Sequence, residues 1–208
     1  MKTFLLQGDS ITDAGRSRED NSNRGVGYPT LVAAELMYDY PGQFNIINRG
    51  ISGNRVVDLY ARIKKDFLNL KPDYLSILIG VNDVWHDYGA EPNGVSDERF
   101  RKVYNLLIEE LLAELPEVKI YILEPFVLPG TATEARWEDF NREVPLRAKS
   151  AKWIAEKHNL TFVPLQEKFD AAAKVCEPSY WLRDGVHPTS AGHELIARAL
   201  LEAVKKDV

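Results

Sequence analysis

Three short apolar runs, each ending in a glycine-containing polar loop and each followed by residues at helical spacing, constrain this chain more than any other feature. Phe4-Leu5-Leu6 runs into Gln7-Gly8-Asp9-Ser10, Phe44-Asn45-Ile46-Ile47-Asn48 into Arg49-Gly50-Ile51-Ser52-Gly53-Asn54, and residues 74–79 into Gly80-Val81-Asn82-Asp83. Brief β-branched and aromatic runs bounded by turn residues read as strands. Pro29 opens a helix that Pro41-Gly42 stops, and helical spacing returns over 56–68. Over 97–115, Phe100, Val103, Tyr104, Leu107 and Leu111 recur on one helical face. Residues 118–123 and 160–163 read as further strands, and 137–158, 165–175 and 190–205 as helices. Pro145 lies inside 137–158, where it must kink the helix or mark its true first turn.

Strands alternating with helices, most of them apolar throughout, imply an α/β fold: a parallel sheet covered on both faces and joined by right-handed crossovers. Parallel strands end on the same side, so the loops after the first three strands should open on one edge. At 208 residues, without a repeat, linker or low-complexity tract, a single domain spanning 1–208 is expected.

The loops at that edge carry residues suited to acyl transfer. A serine hydroxyl is a weak nucleophile until a base takes its proton, and histidine titrates near neutrality. Ser10 is the candidate nucleophile, His187 the base, and Asp184, three residues earlier in Asp184-Gly185-Val186-His187, the carboxylate that fixes the imidazole. An oxyanion needs donors already fixed in place; the N–H groups of Ser10 and Gly53 and the side-chain amide of Asn82 could supply them. Alone, Gly-Asp-Ser is equally a strand-to-helix turn, and Asn82 and Gly53 are ordinary loop residues; the combination is what argues for a site.

Several chemistries are excluded or disfavoured. His193-Glu194 lacks a second histidine one turn on, so no metal and no cofactor are expected, and His158 and His193 read as surface or capping residues. The lone Cys176 permits no internal disulfide and reads as a small buried hydrophobe. A formal net charge of −5 without a basic block argues against nucleic-acid or stable membrane association and makes a neutral substrate the easier fit. The amino terminus turns polar at Gln7, too soon for a signal peptide, so a cytoplasmic location is expected.

The four blocks, in this order, resemble the SGNH hydrolases, or GDSL esterases, named for the Ser, Gly, Asn and His found here as Ser10, Gly53, Asn82 and His187. The resemblance spans nearly the whole chain. It implies a three-layer α/β/α, flavodoxin-like fold with a five-stranded parallel sheet, a Ser10–His187–Asp184 triad and an oxyanion hole of Ser10, Gly53 and Asn82. Within the family, Gly-Val-Asn-Asp-Val-Trp and Asp-Gly-Val-His-Pro-Thr-Ser-Ala-Gly-His are most similar to bacterial acetylesterases acting on xylo-oligosaccharides. That implies a small-molecule ester as substrate, an acetylated sugar, with Asp9, Trp85 and Trp181 as substrate-binding residues. The family's habits, with aromatic loops near the site, also suggest a homo-oligomer. Two rivals stand beside this reading: a lysophospholipase or thioesterase acting on lipid, and a catalytically inactive carbohydrate-binding domain.

Overall fold

The computed structural model describes residues 1–208. In chain order it contains β1 (Lys2–Gly8), α1 (Ser10–Asp13), α2 (Tyr28–Asp39), β2 (Phe44–Asn48), α3 (Val56–Ala61), α4 (Ile63–Asp66), β3 (Tyr74–Leu78), α5 (Val81–Trp85), α6 (Asp97–Glu114), β4 (Lys119–Leu123), α7 (Trp137–Lys157), β5 (Thr161–Val163), α8 (Gln166–Ala173), α9 (Pro178–Trp181) and α10 (Ser190–Val204). The five strands form one sheet in the order β2-β1-β3-β4-β5, every neighbouring pair parallel. This is the doubly wound α/β arrangement expected from the alternation of strands and helices.

Side chains along each strand alternate between two cores, one on each face of the sheet. Phe4, Leu6, Tyr74, Leu78, Tyr121 and Leu123 face the core built with α2 and α10. Leu5, Leu75, Ile77, Ile120 and Ile122 face the other, which holds Leu107, Ile108 and Leu111 of α6 and Ile154 of α7. Burial on both faces explains why these strands are apolar throughout instead of alternating with polar residues.

One helix departs from the sequence reading. The helix expected over 56–68 is broken at Arg62, whose backbone (φ −108°, ψ 15°) leaves helical values between α3 and α4. The Arg62 guanidinium is held there by Asn54, Gln7 and Asp66, and the offset chain sets Phe67 fully into the core. Pro145 lies well inside α7, which begins at Trp137, so it does not mark the first turn. Cys176 is half-buried and free, just beyond α8, not sealed within a core.

The loops after β1 and β2 are stitched together at the carboxyl edge. The Ile51 N–H donates to the Gly8 carbonyl, and the Asn48 side chain donates to the Thr12 carbonyl and accepts from the Gly50 N–H. Gly50 is packed so closely that a Cβ there would stand 2.4 Å from the Asp13 nitrogen, inside any allowed contact. Gly50→Ala is therefore expected to destabilise the fold by about 1–3 kcal/mol, as overpacking does, measured as a lower midpoint of urea unfolding. An unchanged midpoint would show that the loops yield freely.

Candidate active site

Ser10 is the first residue of α1, delivered to the sheet's edge by the end of β1. Asp9 caps that turn, its carboxylate accepting from the Ile11 N–H at 2.9 Å. The turn is possible because Gly8 has no side chain: a Cβ there would meet Thr12 Oγ1 and the Leu78 carbonyl oxygen at 2.3 and 2.4 Å.

The partner residues arrive from the other end of the chain. Asp184 Oδ1 accepts the N–H groups of Val186 and His187 at 3.0 and 2.8 Å, closing a tight turn that returns the His187 ring to the Asp184 carboxylate. Gly185 sits in that turn at φ +95°, where a Cβ would strike the Leu128 carbonyl at 2.4 Å, so glycine is required for both conformation and space. The loop after β4 clamps the turn: Leu128 N–H donates to the Gly185 carbonyl and Ala132 N–H to the Asp184 carbonyl.

The result is a continuous hydrogen-bonded chain. His187 Nδ1 donates to Asp184 Oδ2 at 2.7 Å, which leaves Nε2 free to accept the Ser10 hydroxyl at 3.0 Å. Burial works to raise the Asp184 pKa, but the N–H and imidazole of His187 and the N–H of Val186 outweigh it and hold the carboxyl below its ordinary value. Asp184 thus stays ionised against the ring. Trp85 packs beside the ring, its centroid 5.8 Å from that of His187, and is itself braced edge-on by Phe140.

The expected oxyanion donors lie in the loops at the same edge. Gly53 has φ +81° in a turn closed by Asn54 N–H to the Ile51 carbonyl, and its own N–H has no acceptor in the protein. A Cβ at Gly53 would meet nothing within 4 Å, so the glycine serves the backbone conformation rather than close approach. The buried Asn82 amide donates one hydrogen to the Asn54 carbonyl at 3.1 Å, which leaves its second N–H available.

None of the three residues expected to contact substrate, Asp9, Trp85 and Trp181, is among those lining the cavity beside Ser10 and His187. Asp9 is 1% exposed and does not reach the cavity wall; it is a turn residue with one carboxylate oxygen buried and unpartnered. Trp181 ends α9 and packs against the core with its indole nitrogen buried, outside the cavity. The cavity next to Ser10 and His187, about 710 Å³, is lined instead by residues such as Ser52, Arg183, Thr189 and His193.

Sequence reasoning also missed the polar scaffold beneath the site. Asp13 Oδ2 accepts from Arg18 and from both the N–H and hydroxyl of Ser52, joining the first and second loops. Asp83 accepts the Val56 N–H on both carboxylate oxygens, joining the third loop to α3. An acid directly after Asn82 in an apolar context was the available signal. Burial pushes Asp83 up to about 7, against the Val56 hydrogen bond and the Arg147 charge, and Asp9 likewise to about 7.

The chain matches the GDSL-like lipase/acylhydrolase family over residues 6–195. It is 36% identical to an acetylxylan esterase of Geobacillus stearothermophilus over 97% of this chain and 93% of that protein. Among solved structures it is similar to a GDSL-like protein from Parabacteroides merdae (TM-score 0.93, 39% identity, covering 98% of this chain and 95% of that one). It is similar also to Axe2, an acetylxylan esterase from G. stearothermophilus (TM-score 0.87, 34% identity, 98% and 94% covered). The chain belongs to the GDSL-like lipase/acylhydrolase family. It is a carboxylic ester hydrolase of the GDSL/SGNH type, and none of its helices is long and apolar enough to cross a membrane.

The buried acids carry a pH signature. A carboxyl whose folded pKa lies above its unfolded value of about 4 stabilises the fold fully below that value, and the contribution is lost as pH rises through the folded pKa. For Asp83, near 7 when folded, the loss between pH 4 and 7 amounts to about 2–4 kcal/mol, and Asp9 acts in the same window. Asp83→Asn is expected to flatten this decline, read from urea unfolding at pH 5 and pH 8; an identical slope in the variant would refute it.

Proposed function

We propose that the enzyme removes acetyl groups from acetylated carbohydrate of the xylo-oligosaccharide type through an acyl-Ser10 intermediate. The observation that carries the mechanism is the unbroken Asp184–His187–Ser10 hydrogen-bonded chain. The Ser10 hydroxyl attacks the ester carbonyl as its proton passes to His187 Nε2. The N–H groups of Ser10 and Gly53 and the free amide hydrogen of Asn82 receive the developing oxyanion. As the tetrahedral species collapses, the C–O bond to the alcohol breaks and His187 returns the proton to the departing oxygen. Water then gives a proton to His187 and attacks the acyl carbon, and Ser10 leaves with that proton. Asp184, held ionised, fixes the tautomer and stabilises the imidazolium at each stage.

Support for the roles and the substrate comes from the relatives. Solved structures of Axe2 include catalytic mutants in which a serine, an aspartate or a histidine is replaced by alanine, the last two three residues apart as Asp184 and His187 are. Axe2 is also described as an acetyl-xylooligosaccharide esterase. The cavity mixes polar groups of serine, threonine, arginine and histidine with the apolar Ile11, Ala14, Val26 and Pro188, a lining that suits a polar alcohol beside a short acyl group. We assign the whole of residues 1–208 to one catalytic domain, since Ser10 and His187 stand near its two ends.

Ser10→Ala is expected to lower hydrolysis of an aryl acetate by about 10³-fold or more, and Asn82→Ala to lower turnover by about 10²–10³-fold. Wild-type rates in either variant would remove that residue from the mechanism. Acetate release from acetylated xylo-oligosaccharides is expected to exceed acyl release from lysophospholipid; the reverse order would transfer the enzyme to the lipid-directed esterases.

A further inference from the structure

His193 lies 8% exposed on α10, at the wall of the same cavity, and plays no part in the Ser10–His187–Asp184 chain. Its Nδ1 accepts the Tyr28 N–H at 3.2 Å, capping the amino terminus of α2. A backbone N–H can only donate, so Nδ1 is unprotonated and the ring proton sits on Nε2. That Nε2–H makes no hydrogen bond within the protein and is not sealed from solvent, and the residue lines the cavity. Burial, with Arg183 and His187 nearby, lowers the His193 pKa to about 4, so the ring remains a neutral donor at ordinary pH.

Two more features converge on this wall. Arg183 lines the cavity without a carboxylate partner, since the adjacent Asp184 is taken by His187. The amino terminus of α10, a helix of 15 residues, opens there through Thr189 and Ser190. Thr189 satisfies the N–H groups of Gly192 and His193, which leaves those of Ser190 and Ala191 without acceptors. No acidic side chain lines the cavity, although the chain as a whole carries a net charge of −5. In Axe2 a tryptophan directly precedes the aspartate named in its catalytic mutant, the place Arg183 occupies before Asp184 here.

We infer that this wall binds a carboxylate carried by the alcohol part of the substrate, with Arg183, the Nε2–H of His193 and the amino terminus of α10 as its ligands. The inference rests on the proposed carbohydrate reading and narrows it to acetylated oligosaccharides bearing a uronic acid. One formal positive charge with neutral donors around it matches a monoanion better than a phosphate dianion. The overall negative charge of the protein does not oppose this, because beyond a screening length of about 8 Å the field is set by the local groups.

The test compares kcat/KM for acetylated xylo-oligosaccharides with and without a uronic acid substituent, at low and high salt. The acidic substrate is expected to be favoured by about tenfold at low salt, with the preference shrinking as salt rises. Arg183→Ala, at an exposed position, is expected to bring the acidic-to-neutral ratio near one, and Arg183→Lys to restore part of it. A second measurement does not depend on sugar turnover: xylo-oligosaccharide uronic acids without acetyl groups should inhibit aryl acetate hydrolysis more strongly than neutral xylo-oligosaccharides, and Arg183→Ala should abolish the difference. Equal inhibition by acidic and neutral sugars, or a preference that survives in Arg183→Ala, would overturn the inference. If aryl acetate is hydrolysed but no acetylated sugar is, the carbohydrate reading fails, and the inhibition series alone decides the carboxylate site.

Discussion

Everything at the carboxyl edge depends on β1 lying between β2 and β3 in a parallel sheet. The chain leaves β1 toward one side to form β2, then crosses back to form β3 on the other, so the connections diverge directly above β1. A crevice opens where they part, and Ser10, the second residue after β1, stands in it. The second loop brings Gly53 and the third Asn82 because their strands flank β1 in register, Leu6 opposite both Asn48 and Ser76. A one-residue slip would exchange the two core faces as well as misplace the loops, so the same burial that stabilises the sheet aligns the site.

That edge is polar beneath as well as above. Asp13, Asn48 and Asp83 tie loop to loop through hydrogen bonds to backbone N–H and carbonyl groups, those of Asn48 and Asp83 to groups that would otherwise be buried without partners. Such groups cost more when left unpaired than they contribute when paired, so each link strongly specifies one loop arrangement. The expense is visible in Asp9 and Asp83, carboxyls driven toward neutrality by burial. The nucleophile turn is therefore held by rigid neighbours instead of by its own four-residue helix.

Much of this was legible in the sequence, and the reasons differ by element. Strand β2 and helix α6 were readable because burial of a whole strand, or of one helical face, leaves a pattern in adjacent residues. Ser10, Gly53, Asn82 and His187 were readable as a set through the family resemblance, and the structure then placed Ser10, His187 and Asp184 in hydrogen-bond contact. Which residues line the cavity beside Ser10 was not readable. Trp181 and Asp9 have side chains suited to binding sugars, but whether a side chain faces a cavity or a core depends on contacts far away in sequence. His193 shows the same limit: capping was the correct reading, but the helix it caps is α2, 165 residues away, and it is buried rather than on the surface. Net charge likewise averages over the whole surface and carries no information about a wall from which acids are missing.

The hydrogen bond between Ser10 and His187 joins residues separated by 177 positions. During synthesis the nucleophile emerges 177 residues ahead of its base, so all the chain between them must be made before the two can meet. Closing so long a loop is costly in entropy, and that cost is recovered only when α10 docks against α2 and brings the Asp184 turn to the sheet. Until the Asp184 turn arrives, Ser10 has no base and is no more reactive than any other serine hydroxyl. Esterase activity in this protein is a report that the final helix has docked, a more stringent criterion of native structure than the presence of the sheet.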